Sequence, residues 1–140
     1  MISHSDIIRL RLQKAKGLLL EVAPLMNLNF YTTVINRLYY SCFHATTALL
    51  LTKNIMAKTH KGVANMLHHQ FVNTGEFESE KAAFFGDLLK ERIRDDYNEF
   101  LIMDEEEVSA FIKPAFEYVG YVSKLINAYF DDQRTNSKSE

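Results

Sequence analysis

The sequence has a surplus of neither charge sign, no pair of cysteines, no long apolar run and no glycine-rich linker, and each absence excludes a class. Lys+Arg number 16 against 18 Asp+Glu, a formal net charge of -2. No global field therefore draws the chain to nucleic acid, and any RNA or nucleotide site has to be a local basic patch. Cys42 is the only cysteine, so no internal disulfide can form; set between Ser41 and Phe43 it reads as a small buried hydrophobe. No stretch approaches the roughly 20 apolar residues of a membrane span, since Ala45 to Leu51 carries Thr46 and Thr47 and is soon followed by Lys53. His4, Asp6, Arg9 and Arg11 interrupt the first residues and break any leader core. A soluble, cytoplasmic protein is expected, with no membrane partner.

What remains is 140 residues, 47% hydrophobic and 24% charged, the composition of an ordinary globular domain. At this size folding buries roughly 68–70% of the unfolded surface, enough for a core without staples. The apolar residues recur with helical spacing. Ile8, Leu12, Ala15, Leu19, Val22 and Met26 step by four and three, predicting a first helix from about Ser5 or Asp6. Tyr31, Ile35, Leu38, Cys42, Ala45 and Leu49 repeat the pattern, and Val34, Tyr39, Phe43, Leu50 and Leu51 make the other faces apolar too. A helix apolar on nearly all sides belongs at a bundle centre or in an interface, and a homodimer is expected from it.

Val63, Leu67 and Phe71 predict a shorter helix, stopped by Asn73, Thr74 and Gly75. A fourth runs from about Ser79 past Tyr97, and a fifth starts at Asp104 and Glu107, an N-terminal capping pair. Pro114 inside the fifth predicts a bend or split near Lys113. No segment alternates apolar and polar residues as a half-buried strand does, and no repeat is present. The fold expected is all-α, an up-and-down bundle of about five helices over residues 1–131, followed by a mobile polar tail over 132–140.

On the fourth helix the apolar stripe Phe85, Leu88, Leu89 continues into Arg92 and Asp96, with Tyr97 next. Four residues apart, the two charges can pair along the helix. Two readings stay open: an ion pair with the arginine stem over the core edge, or a ligand cluster in which the guanidinium fork suits phosphate. On the second reading, loss of Asp96 should cost about 2–4 kcal/mol. The histidines at 4, 44, 60, 68 and 69 form no metal-binding spacing, and no metal or cofactor is expected. His44, on the most apolar helix, is either a core residue or an imidazole turned toward the fourth helix; His60 is either a cap or an anion contact at a helix start. Ser41 and His44, three apart on one helix, are too common a pairing to argue nucleophilic catalysis. Tyr39, Tyr40, Phe43, Phe84 and Phe85 read as packing before base stacking, and Arg9, Arg11, Lys14 and Lys16 as a solvated face. The candidate cleft is Arg92, Asp96 and Tyr97, with His44, Tyr40 and His60 as contributors.

Four motifs in order, Asn36-Arg37-Leu38-Tyr39-Tyr40-Ser41-Cys42-Phe43-His44-Ala45, Thr59-His60-Lys61-Gly62-Val63, Phe71-Val72-Asn73-Thr74-Gly75 and Arg92-Ile93-Arg94-Asp95-Asp96-Tyr97, resemble the HEPN superfamily. More narrowly the chain resembles its small stand-alone branch, once catalogued as an uncharacterised protein family. The resemblance implies a helical bundle that commonly dimerises, often encoded beside a minimal nucleotidyltransferase as a toxin–antitoxin-like pair. It also implies kinship with metal-independent ribonucleases that use an arginine and a histidine about four to six residues apart on one helix. Arg92 matches that arginine. The residues that follow at the histidine's distance are Asp96, Tyr97, Asn98 and Glu99, and counting from Arg94 reaches only Asn98 to Leu101. Asp96 is a poor substitute, since proton transfer near neutral pH is what a histidine supplies most readily. The sequence thus favours a dimeric binding subunit, partnered by a nucleotidyltransferase and binding nucleotide or RNA phosphate. The alternatives are an endoribonuclease toxin, with His44 or Tyr97 assisting Arg92, and a purely structural module.

Overall fold

A computed structural model describes residues 1–98 and 102–138; Glu99 to Leu101, reached by the count from Arg92 and Arg94, and the last two residues of the polar tail lie outside the described residues. The order is α1 (His4–Leu19), α2 (Val22–Asn27), α3 (Tyr31–Leu51), α4 (His60–Leu67), α5 (Ser79–Tyr97) and α6 (Glu105–Lys138), with a π turn (His68–Val72) continuing α4. No strand occurs among the described residues, so the chain is the all-α bundle that the helical spacing predicts.

The most apolar segment becomes the axis of the bundle. α3 packs most extensively on α1 and α6 and then on α5. Val34, Ile35, Leu38, Tyr39, Cys42, Ala45, Ala48, Leu49 and Leu50 are all buried. Each fully buried aliphatic side chain contributes about 1.5–3 kcal/mol, which suffices to fix the order of packing. The apolar girth of α3 is thus used inside one chain, and it carries no separate argument for an interface. Cys42 is fully buried, and burial pushes its thiol far above the ordinary range, as a packed hydrophobe requires.

Three element ends differ from those read in the sequence. α1 begins two residues before Asp6, because Ser3 closes a capping box with it: the Asp6 N–H donates to Ser3 Oγ and the Ser3 N–H to Asp6 Oδ2, both at 3.1 Å. The predicted first helix also stops early, at Leu19, and α2 follows as a separate short helix. Pro24 explains this, since it has no N–H for the carbonyl of Leu20 and its ring crowds that carbonyl. At the other end α6 passes Pro114 without splitting and continues beyond Asp131 to Lys138, where Arg134 pairs with Asp131 and the Thr135 hydroxyl donates to the Asp131 carbonyl. Burial of Ala115, Tyr118, Val119, Val122 and Ile126 on one stripe holds the helix through the proline. Its start is the expected one, the Glu107 N–H donating to Asp104 Oδ1 at 2.8 Å.

Polar groups in the core are satisfied across helices. The Ser41 hydroxyl donates to the Ala15 carbonyl at 2.6 Å, joining α3 to α1. Thr46 Oγ1 donates to the Cys42 carbonyl at 2.7 Å and lies 2.6 Å from the Tyr118 hydroxyl, joining α3 to α6. Two further caps fix the loop before α4 and the end of the π turn. Thr59 Oγ1 accepts from the Gly62 N–H at 2.9 Å, and a Cβ at position 62 would sit 2.8 Å from that oxygen. Gly75, at φ +81°, closes the turn after the π segment in a backbone region that glycine adopts freely. Thr46→Val is expected to cost about 1–3 kcal/mol in a denaturant melt, because it strands the buried Tyr118 hydroxyl. Adding Tyr118→Phe should recover most of that loss, and a simple sum of the two costs would contradict the pairing.

A candidate anion cleft around Arg92

α5 leaves the core one residue type at a time. Phe85 and Leu88 are fully buried and Leu89 nearly so; Arg92, one turn on, is the first charge on that stripe and keeps 22% of its side chain exposed. Its stem follows the apolar face and its head emerges beside α3, where Cζ lies 5.4 Å from the ring centres of both Tyr39 and Tyr40. Nη2 forms an ion pair with Asp96 Oδ2 at 3.2 Å. Nε is buried and makes no hydrogen bond among the described residues. A guanidinium offers five donors. Arg92 lines an open cleft of about 470 Å³ together with Thr59, His60, Lys61, Ile93, Asp96 and Tyr97.

Tyr39 links two residues that line this cleft, Arg92 and His60. It is fully buried, its ring lies nearly parallel to Phe85 at 5.9 Å, and its hydroxyl sits 2.6 Å from Nδ1 of His60. Burial pushes the phenol far above its usual range, with Arg92 opposing, so the hydroxyl stays protonated. The contact occupies Nδ1 of His60 and leaves Nε2 as the ring's open nitrogen. Burial and the Arg92 charge hold His60 below the usual imidazole value, against the pull of Asp96; at neutral pH it is uncharged. Phe43 and Tyr40 pack beside His60, with ring centres 4.6 and 6.0 Å from its own.

The structure therefore brings Arg92, Asp96, Tyr40 and His60 together, with Tyr97 at the exposed rim. His44 touches this group only through Tyr40, 6.1 Å away ring to ring, and does not line the Arg92 cleft. His44 lies on the α1 side of α3, in another cleft with Arg11, Lys14 and Thr47, and burial together with those two cations lowers its basicity. The imidazole beside Arg92 is His60, carried by a different helix. Asp96 is 42% exposed, so the Arg92–Asp96 pair is half-solvated and the cost of about 2–4 kcal/mol expected for a desolvated pair does not apply. Tyr39 was hidden in the sequence among packing aromatics; a phenol on an apolar helix that needs a partner for its hydroxyl was the available signal. Among the described residues no group of three His, Cys, Asp or Glu side chains could hold a metal, and no helix is long and apolar enough to cross a membrane.

A helical bundle with an arginine–aromatic–histidine cleft at the side of its central helix is the class that fold and site define. The HEPN domain family model matches residues 8–125, and the chain belongs to the HEPN family. It is 33% identical over 94 residues to a UPF0332 protein of Thermotoga maritima, covering 67% of this chain and 71% of that one. Two proteins of Methanocaldococcus jannaschii are also similar. "Putative toxin MJ0142" is 30% identical over 115 residues, 82% of this chain and 78% of its own; "Putative toxin MJ0605" is 34% identical over 96 residues, 69% and 71%.

Two measurements check this geometry. Replacing Arg92 by alanine removes the charge that opposes imidazolium formation and leaves Asp96, which favours it, so the His60 titration followed by NMR should move upward in pH; an unmoved titration would separate the two side chains. Asp96→Ala should change the denaturant midpoint by no more than about 1 kcal/mol, the range of a half-exposed pair.

Proposed function

We propose that the chain is a cytoplasmic HEPN-domain binding protein that holds RNA or nucleotide phosphate in the Arg92 cleft. On this reading it works as a homodimer on the toxin side of a two-component module whose other member is a minimal nucleotidyltransferase. The observation that carries phosphate binding is Arg92: its side chain lines the cleft, keeps 22% of its surface exposed and, among the described residues, is ion-paired with Asp96 alone. A planar fork of donors at the mouth of an open cleft, with His60 and Lys61 at its rim, suits a phosphate and offers little to a neutral ligand. The toxin-side role is supported by the names of the two Methanocaldococcus relatives, and the homodimer and nucleotidyltransferase by the family resemblance.

One observation favours the endoribonuclease as a second reading. The histidine missing four to six residues after Arg92 has a spatial counterpart in His60, uncharged and with Nε2 open. With its Nδ1–H donating to the Tyr39 hydroxyl oxygen, a neutral His60 carries its lone pair on Nε2. That nitrogen can take the proton of a ribose 2′-hydroxyl as the oxygen attacks phosphorus and return it to the departing 5′-oxygen, with Arg92 stabilising the added charge.

Labelled single-stranded RNA titrated against the protein distinguishes these readings. Arg92→Ala should weaken binding on the order of 10- to 100-fold, the worth of one or two charge-assisted hydrogen bonds, with the helical spectrum unchanged. Arg92→Lys should recover little, since it loses the fork. Intact RNA after long incubation keeps the binding reading, and fragments that disappear in His60→Ala replace it with the nuclease. Equal binding by parent and Arg92→Ala would leave the Arg92–Asp96 pair a salt bridge and nothing more.

A further inference from the structure

On the α1 side of α3 lies a second concave surface with a one-signed lining. Arg11 and Lys14 of α1 and His44 and Thr47 of α3 border an open cleft of about 400 Å³, with Phe43 and Ala57 completing its walls. No carboxylate lines it, and among the described residues neither Arg11 nor Lys14 has a carboxylate partner. Burial, with the two cations adding to it, depresses the basicity of His44. In a molecule of net charge -2 this is a local concentration of positive charge.

This cleft adjoins the one around Arg92. Phe43 forms a wall of the second cleft, and its ring centre lies 5.7 Å from that of His44 and 4.6 Å from that of His60, which lines the first. Tyr40 stands between the same two imidazoles, at 6.1 and 6.0 Å. Ala57 lines one cleft and Thr59, two residues on, the other. Phe43 and Tyr40 are only half-buried, so the ridge that separates the clefts presents aromatic surface.

We propose that the two clefts form a single track for single-stranded RNA, with phosphates held at Arg92 and at Arg11 and Lys14, and a base laid on the Phe43–Tyr40 ridge between them. This deepens the reading of the Arg92 cleft as a phosphate site and rests on it. Stacking on an aromatic ridge between two cationic clefts is how single strands are held without reading their sequence. A mononucleotide can fill only one cleft, so the track selects a strand over a nucleotide.

The test compares a labelled single-stranded RNA of about a dozen nucleotides with AMP, at several salt concentrations. Arg11→Ala/Lys14→Ala should weaken the RNA at least tenfold at low salt and leave AMP binding unchanged. It should also lower the slope of log affinity against log salt by about 1.4, the loss of two phosphate contacts on a single strand. Arg11→Gln/Lys14→Gln provides the same charge change with longer stems if the alanines loosen α1 on α3. Lys16→Ala/Lys124→Ala removes equal charge elsewhere and should bind RNA like the parent. If that control loses as much, or polyglutamate competes as well as RNA, the track is overturned. If Arg11→Ala/Lys14→Ala binds RNA like the parent while Arg92→Ala does not, the second cleft is refuted and the Arg92 site stands. A parent that binds no RNA refutes both.

Discussion

The arrangement around Arg92 depends on one buried phenol. Tyr39 sits on the central helix with its ring sealed and its hydroxyl 2.6 Å from His60, and a buried hydroxyl without a partner would cost about 1–3 kcal/mol. That contact ties the start of α4 to α3. The ring's other relations set the opposite wall: Phe85 stacks on it from α5, and the Arg92 guanidinium, two turns further along α5, lies over its edge of the cleft. The stack continues from Phe85 to Tyr118, whose hydroxyl meets Thr46. The site is therefore an outcrop of the core rather than a loop laid upon it, and its parts come from three helices whose spacing the packing fixes.

This explains how far the sequence could be read. Helical spacing identified the bundle, the central helix, the cap at Asp104 and the charge step at Arg92 and Asp96, because each is a relation between residues a few positions apart. The break after Leu19 was legible in Pro24 but outweighed by an apolar rhythm that continued through it. The helix past Asp131 was hidden because composition reports little about a polar segment extending an already formed helix. The exchange of His44 for His60 has a different origin. Which histidine meets Arg92 depends on how α3 and α4 lie against α5, and no spacing along one helix encodes that. Phe43 read as packing because periodicity cannot tell a covered ring from one at the edge of a cleft.

Charge shows the same limit. A count of 16 against 18 describes a nearly neutral chain, yet among the described residues Arg11 and Lys14 line one cleft with no carboxylate and Arg92 lines another with Asp96 as its one carboxylate. Membership of the HEPN family fixes the bundle; within one fold, chemistry is decided by which side chains reach a common cleft.

The cap before α4 carries a consequence for how the sequence can drift. Thr59 borders the cleft, and its hydroxyl holds the Gly62 amide at a separation that leaves no room for a methyl group on residue 62. Glycine is required there by space and not by backbone angle. The two positions are consequently bound as a pair: a larger residue at 62 becomes acceptable only after 59 has surrendered its cap, and a lineage that keeps the threonine inherits the glycine with it.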